Sequence, residues 1–316
     1  MLAVPQPLVS VGIPTYNRPE GLRRTLSCIT GQTHSNLEII ISDNCSPGAE
    51  TEMVAREFMK GDHRIQYFRQ AENKGATFNF DFVLRKATGE YFMWAADDDL
   101  WEPTYISSCV KALDDNPRAV LCTTAAVSIN REGDSIGMYD EDIDTVGLDT
   151  LSRLAKVIKG MTRHTSFYGV TRREVTSQIH IRNHFGWDHV FTAELSLYGE
   201  FVRLPQHYFY CRTGGSCNSV EEVIRAQQIR SPLVRVFPYL TFFAEFLRAA
   251  TTWHMLRWSD RLRAMRFIVR RFTSLYYLLL IWSSDLRLPL PPMWSRAFLK
   301  KWFARGGKLM DTSHSR

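Results

Sequence analysis

Strand and helix signals alternate over the first 125 residues, and that alternation limits the chain to a small set of folds. Residues 8–13 form a β-branched run that stops at Pro14, and Pro19 suits the first turn of a helix reaching residue 30. Residues 37–42 and 65–69 read as strands, and 49–59 and 77–87 as helices. A strand over 91–96, a helix over 103–113 and a strand over 119–125 follow. Near-continuous apolar strands between helices predict an α/β fold with a mostly parallel central sheet covered on both faces. Ligands of such sheets sit at the carboxyl ends of the strands. Three polar clusters fall at those ends: Thr15-Tyr16-Asn17-Arg18, Asp43-Asn44-Cys45-Ser46 and Asp97-Asp98-Asp99. Residues far apart in sequence are thereby expected on one edge.

The rest of the chain is organised differently. Residues 128–138 predict a strand pair around Arg131-Glu132-Gly133; 148–159 and 187–197 read as helices, and 166–171 and 201–210 as strands. From Glu221 onward only helix signals remain, punctuated by Pro232, Pro238, Pro289, Pro291 and Pro292. We expect a catalytic part over residues 1–220 and a helical extension over 221–316. Charge marks the same division: residues 1–220 carry a net −5 and residues 221–316 a net +11. In the extension, Leu262, Met265, Val269, Phe272, Tyr276 and Leu279 recur every three or four residues, while Arg263, Arg266 and Arg270 line another face. Its apolar stretch near 278–282 is shorter than the roughly 20 residues a bilayer span needs. Such a helix can lie on an anionic membrane surface, cap the catalytic part or form a homo-oligomer interface.

The six cysteines include no CxxC pair; Cys28, Cys109 and Cys122 sit in apolar runs and read as core thiols, and Cys211 and Cys217 flank one loop without metal-ligand spacing. A reducing cytoplasm suits them. The first ten residues lack a basic n-region and a long apolar run, so no signal peptide is expected. The expected location is cytoplasmic, either free or peripheral on the cytoplasmic membrane face, with no nucleic acid partner.

The first strand is followed by PTYNRPEG, which is neither GxGxxG nor a P-loop, so no glycine-rich turn cradles phosphates here. Another cation must neutralise them. Asp97-Asp98-Asp99, at the end of an apolar strand, suits Mn²⁺ or Mg²⁺, hard ions often held by one or two carboxylates plus substrate phosphates.

At this point the chain resembles a family-2 glycosyltransferase with the GT-A (nucleotide-diphospho-sugar transferase) fold. LVSVGIPTYNR, LEIIISDNCS, Asn73-Lys74-Gly75 and YFMWAADDDLWEP match the family's opening blocks in order and spacing, and the resemblance covers about residues 7–215. It implies a nucleotide-diphosphate sugar donor of UDP or dTDP type and a glycan or lipid-linked acceptor, as in polysaccharide biosynthesis. Asp43 would accept the imide hydrogen of a uracil-type base, although Asp before Asn44 also suits a plain turn. Pro14, Thr15, Tyr16 and Asn17 would line base and ribose, Lys74 would lie beside them, and Arg18 could approach the phosphates. Asp97 would face the ribose or sugar, Asp98 would ligate the metal, and Asp99 is a weaker ligand. The family often shows D-x-D-D where this chain has Ala96 first, so which aspartates touch the metal stays open. The resemblance also implies a general base opening a helix about ninety residues further on, which here falls on Asp188 in FGWDHVFTAELSLYG. An ordinary helix cap would look the same there. His184, His189 and Glu194 nearby read as structural. Arg212-Thr213-Gly214-Gly215-Ser216 resembles a loop that closes over the donor, with Arg212 reaching a phosphate. A nucleotidyltransferase is the alternative enzyme, but it would want a basic glycine-rich loop after the first strand. A non-catalytic sugar-nucleotide binding module is the alternative outside enzymes.

Overall fold

A computed structural model of the chain describes residues 5–139, 143–161, 165–213 and 219–274, together with Ile281 and Asp285. Its first half runs β1 (Val9–Thr15), α1 (Pro19–Thr30), β2 (Leu37–Asp43), α2 (Glu50–Gly61), β3 (Ile65–Arg69), α3 (Ala76–Lys86) and β4 (Tyr91–Trp94). A short β5 (Leu100–Trp101), α4 (Tyr105–Asp115), β6 (Ala119–Ile129) and β7 (Ser135–Tyr139) follow. Next come α5 (Thr150–Gly160), a 3₁₀ turn at Thr165–Tyr168, β8 (Val170–Arg172), α6 (Arg173–Thr176), α7 (Trp187–Tyr198) and β9 (Glu200–Arg212). Four helices close the described chain: α8 (Val220–Ala226), α9 (Pro232–Val236), α10 (Pro238–Thr252) and α11 (Trp258–Phe272).

One nine-stranded sheet has the order β3-β2-β1-β4-β8-β6-β9-β5, with β7 beside β6. The parallel expectation holds from β3 to β4. Beyond β4 the sheet is mixed: β6 and β9 are parallel, but β8 runs antiparallel to both β4 and β6, as do β7 to β6 and β5 to β9. The short β8 enters between two longer strands and reverses the direction there. Residues 166–171, read as one strand, divide into the 3₁₀ turn and β8. The turn lets Phe167 lie flat on Trp94, their ring centroids 4.5 Å apart, a contact that a continuous strand, with alternate side chains on opposite faces, would not favour.

Two cores flank the sheet. Leu22, Leu26, Ile29, Val54 and Ile106 cover one face from α1, α2 and α4. Val83, Leu154, Phe191, Phe246 and Ile268 cover the other from α3, α5, α7, α10 and α11. The extension thus packs against the catalytic part: α11 turns Ala264, Ile268 and Phe272 inward at a spacing of four. Buried Asp285 accepts hydrogen bonds from the Tyr239 and Leu240 amides and so caps the N-terminus of α10, where a carboxylate satisfies otherwise unpaired donors. Cys109 and Cys122 are buried as expected, whereas Cys28 is half-exposed. Tyr276, Leu278, Leu279, Trp282, Gly214, Gly215, Ser216 and Cys217 lie outside the described residues.

Candidate active site at the carboxyl edge of the sheet

The parallel register brings the three polar clusters together. Thr15 and Asp43 are partners at the ends of β1 and β2, and β4 lies on the other side of β1. Thr15 Oγ1 donates to Asp97 Oδ2 at 2.7 Å, joining the end of β1 to the turn after β4. Asn17 takes a left-handed conformation (φ +54°), which asparagine tolerates better than most residues, and its amide donates to Ser46 Oγ. Arg18 donates to Asp97 at 3.2 Å and to Asp98 at 2.7 Å. Burial opposes its charge, but the two carboxylates outweigh that and hold the guanidinium protonated. Here Arg18 acts as counter-ion to the aspartates.

The aspartate turn is held by small residues of α1. A Cβ on Gly21 would lie 2.1 Å from the Asp97 carbonyl oxygen, so only glycine permits this approach. Thr25 Oγ1 donates to the Ala96 and Asp99 carbonyls. The three aspartates then differ sharply. Burial, with Asp98 second, pushes the Asp97 carboxyl up to about 6, against the opposing effects of Arg18 and Thr15. Burial and then Asp98 also hold the Asp99 carboxyl well above the usual range. Asp99 accepts from the Arg212 amide at 2.8 Å and so faces β9. Asp98 has the most accessible side chain that Arg18 engages, 15% exposed against 11% for Asp97. Among the described residues no three His, Cys, Asp or Glu side chains converge into a metal cage. The donor set instead fits a hard divalent ion held by one or two carboxylates and completed by a diphosphate. A cation there would relieve the mutual repulsion that Asp97, Asp98 and Asp99 now exert.

Asp43 is fully buried at the end of β2. Its Oδ1 accepts from the Ser46 amide at 2.8 Å and its Oδ2 from the Tyr67 hydroxyl at 2.7 Å. The Asx-turn reading is therefore realised; each oxygen keeps a second lone pair. Burial and the Asp43 bond together raise the Tyr67 phenol. Asn79 of α3 staples the two strand ends, donating to the Thr15 and Ser42 carbonyls and accepting from Ser42 Oγ. The Lys74 amide donates to Asn44, which places this loop beside Asp43. The Lys74 ammonium itself lies over the Phe78 ring, 5.0 Å from its centroid. Pro14 is buried within β1, while Tyr16 and Asn17 are exposed at the edge.

Asp188 is the second residue of α7, whose cap is Gly186 in a left-handed conformation (φ +74°). The carboxylate is therefore not the N-cap. It is 32% exposed, and its Oδ1 accepts from the His189 amide at 3.1 Å. An aromatic chain links this helix start to β4: Trp94 stacks on Phe167, and Phe167 meets Trp187 edge-on at 5.4 Å. The neighbouring Tyr168 phenol is held well above its usual value by burial, then by the charges of Asp99 and Asp98, and also by Cys211 and Asp188. One hydroxyl thus lies in the field of both the aspartate turn and Asp188. Glu194 is half-buried, accepts from Trp253 Nε1 at 3.1 Å, and reads as structural; desolvation raises its carboxyl. His184 is buried and His189 half-exposed.

Arg212 departs from the expectation of a phosphate ligand. Its guanidinium donates to the carbonyls of Asp98, Asn130 and Arg131 and ties the end of β9 to the β6–β7 turn and the aspartate turn. Sequence reasoning missed Gly21, Thr25, Tyr67, Asn79 and Tyr168. Small residues on the inward side of the first helix were the one visible signal, since a helix must come close to a buried turn to support it.

The strand order, with its parallel half ending on the aspartate turn, is that of the GT-A class. The glycosyl transferase family 2 profile matches residues 10–178, more than half of the chain, and the chain belongs to that family. Among curated relatives it is 31% identical to an uncharacterised glycosyltransferase of Rickettsia felis over 161 residues, 49% of this chain and 26% of that protein. It is 34% identical to TuaG of Bacillus subtilis, assigned to teichuronic acid biosynthesis, over 31% of this chain and 38% of that protein. The chain thus spans well under half the length of these relatives. Among solved structures, Staphylococcus aureus TarS 1–349 in complex with UDP-GlcNAc superposes with a TM-score of 0.63 at 14% identity, covering 84% of this chain and 73% of that one. A Pyrobaculum calidifontis mannosyltransferase in complex with GDP-Man and Mn²⁺ gives 0.53 at 16% identity, covering 96% and 85%. These structural likenesses concern the fold.

Proposed function

We propose that the chain transfers a sugar from a nucleotide-diphosphate donor of UDP or dTDP type to a hydroxyl acceptor, with inversion at the anomeric carbon. The observation that carries this reading is the shared edge, where Thr15, Asp43 and Asp97 meet at the ends of neighbouring strands and Trp94, at the end of β4, is joined through Phe167 to Trp187 beside Asp188. In this reading Asp43 selects the base, exposed Tyr16 and Asn17 border it, and Asp98, with Asp97 behind it, faces the diphosphate. When bound there, Mn²⁺ or Mg²⁺ supplies charge neutralisation for the leaving diphosphate. Arg18, now paired with both aspartates, is free to turn toward phosphate once they have another counter-ion. Asp188 takes the proton of the acceptor hydroxyl, and the oxygen forms its bond to the anomeric carbon as the bond to the diphosphate oxygen breaks. The polysaccharide assignment of TuaG supports a glycan or lipid-linked acceptor.

Base selection provides the test. As a carboxylate, Asp43 can only accept, and uracil and thymine offer an N3 hydrogen. UDP or dTDP is expected to bind more tightly than GDP or CDP in calorimetry with Mn²⁺ present. Asp43→Ala, which removes the acceptor altogether, is expected to weaken UDP binding by about 1.5–3 kcal/mol, the scale of a hydrogen bond to a charged group. Tight binding of GDP or CDP with none of UDP or dTDP would sink the assignment.

A further inference from the structure

Helix α11 carries three faces where an ordinary surface helix carries two. Ala264, Ile268 and Phe272 form the buried face. Trp258, Leu262 and Val269 stay 64%, 43% and 40% exposed, and at 100° per residue they fall within one narrow stripe beside that face. Arg263, Arg266 and Arg270 are exposed on the far side of the stripe, where Arg263 pairs with Asp260 at 3.4 Å. An exposed tryptophan stripe bordered by arginines is costly in water unless something covers it. No described helix is long and apolar enough to cross a membrane, so this helix would lie flat.

Charge decides what covers it. The chain's own end is a poor occupant, because residues 286–316 carry seven Lys/Arg against one Asp and share the sign of the face. A second copy meeting this face across a two-fold axis would set arginine against arginine. An apolar layer beneath a negative surface matches both parts of the face. We propose that the outer face of α11 docks on an anionic lipid bilayer, with Trp258, Leu262 and Val269 in the headgroup layer and Arg263, Arg266 and Arg270 on lipid phosphates. The docked helix would also stand close to the candidate base. Phe272 at its end meets the Phe242 ring at 5.1 Å, and Phe242 meets the His189 ring at 5.3 Å, next to Asp188. A lipid-linked acceptor would then be presented where the proton is removed.

The proposal rests on this surface, and vesicle binding reads no turnover, so it stands or falls apart from sugar transfer. Full-length protein is sedimented with mixed phosphatidylglycerol–phosphatidylcholine vesicles and with pure phosphatidylcholine vesicles. Binding is expected with the mixed vesicles only, declining as salt rises. Each arginine at the surface contributes about fivefold to partitioning, so the triple variant Arg263→Glu/Arg266→Glu/Arg270→Glu should lose at least about tenfold. Trp258→Ser/Leu262→Ser should lose binding as well, with its melting temperature retained because both side chains are exposed. No sedimentation at low salt, binding unchanged in both variants, or a wild-type dimer that Trp258→Ser/Leu262→Ser makes monomeric would each overturn the proposal.

Discussion

Asp188→Asn is expected to cut sugar transfer by about 10²–10⁴, the usual cost of losing a general base, while the UDP dissociation constant moves little. The amide has the shape of the carboxylate but cannot take a proton from the acceptor hydroxyl. Its local bonds explain why the fold should survive. Gly186 caps α7, so the helix does not depend on Asp188 for its cap. An asparagine oxygen can still accept from the His189 amide as Asp188 Oδ1 does now. The loss includes a negative charge in the first helical turn, about 0.3–1 kcal/mol of stability, and the charged partner of His189 Nδ1 at 3.3 Å. Thermal melting and a transfer assay on the same variant separate the two effects. A fully active Asp188→Asn protein would falsify the catalytic assignment and move attention to His189, since Glu194 is engaged by Trp253 Nε1.

Asp98→Ala is expected to abolish most of the gain in UDP affinity that Mn²⁺ or Mg²⁺ gives. Asp98 is the more accessible of the two aspartates that share Arg18, while Asp99 is committed to the Arg212 amide. Removing Asp98 leaves Arg18 paired with Asp97, so the turn keeps its counter-ion and should keep its shape. In the wild type we expect UDP to bind at least about tenfold more tightly with Mn²⁺ than with EDTA, or about 1.4 kcal/mol. In the variant the two affinities should approach one another. Calorimetry reads this directly, and equal UDP affinity in Mn²⁺ and EDTA for the wild type would remove the metal from the account.

The parts of the fold written in local pattern were legible from the sequence. The run from Val9 to Trp94 alternates strongly enough that its strands and helices lie within two residues of expectation, because β1, β2 and β4 are largely apolar runs and the helices between them are amphipathic. The sheet beyond β4 was not legible. β5 has two residues and β8 three, too short for any periodicity, and their antiparallel pairing depends on neighbours that arrive from far along the chain. The site divides the same way. Strand-end position alone puts Thr15, Asp43 and Asp97 on one edge. The partners of Arg212 could not be read, because the Asn130 and Arg131 carbonyls reach it only through the β6–β7 turn. Gly21 carries no chemistry of its own and matters only because the Asp97 carbonyl lies against it.

The account turns on whether the edge breaks the bond between sugar and diphosphate. The direct measurement is chromatographic detection of UDP or dTDP released when the full-length protein is incubated with UDP- and dTDP-sugars, with Mn²⁺ or with EDTA, water serving as a slow acceptor. The account predicts release from at least one of these donors in Mn²⁺, little in EDTA, and little from Asp188→Asn even where that variant binds UDP as tightly as the wild type. Firm UDP binding with no release from any donor, or release that Asp188→Asn leaves untouched, would contradict it.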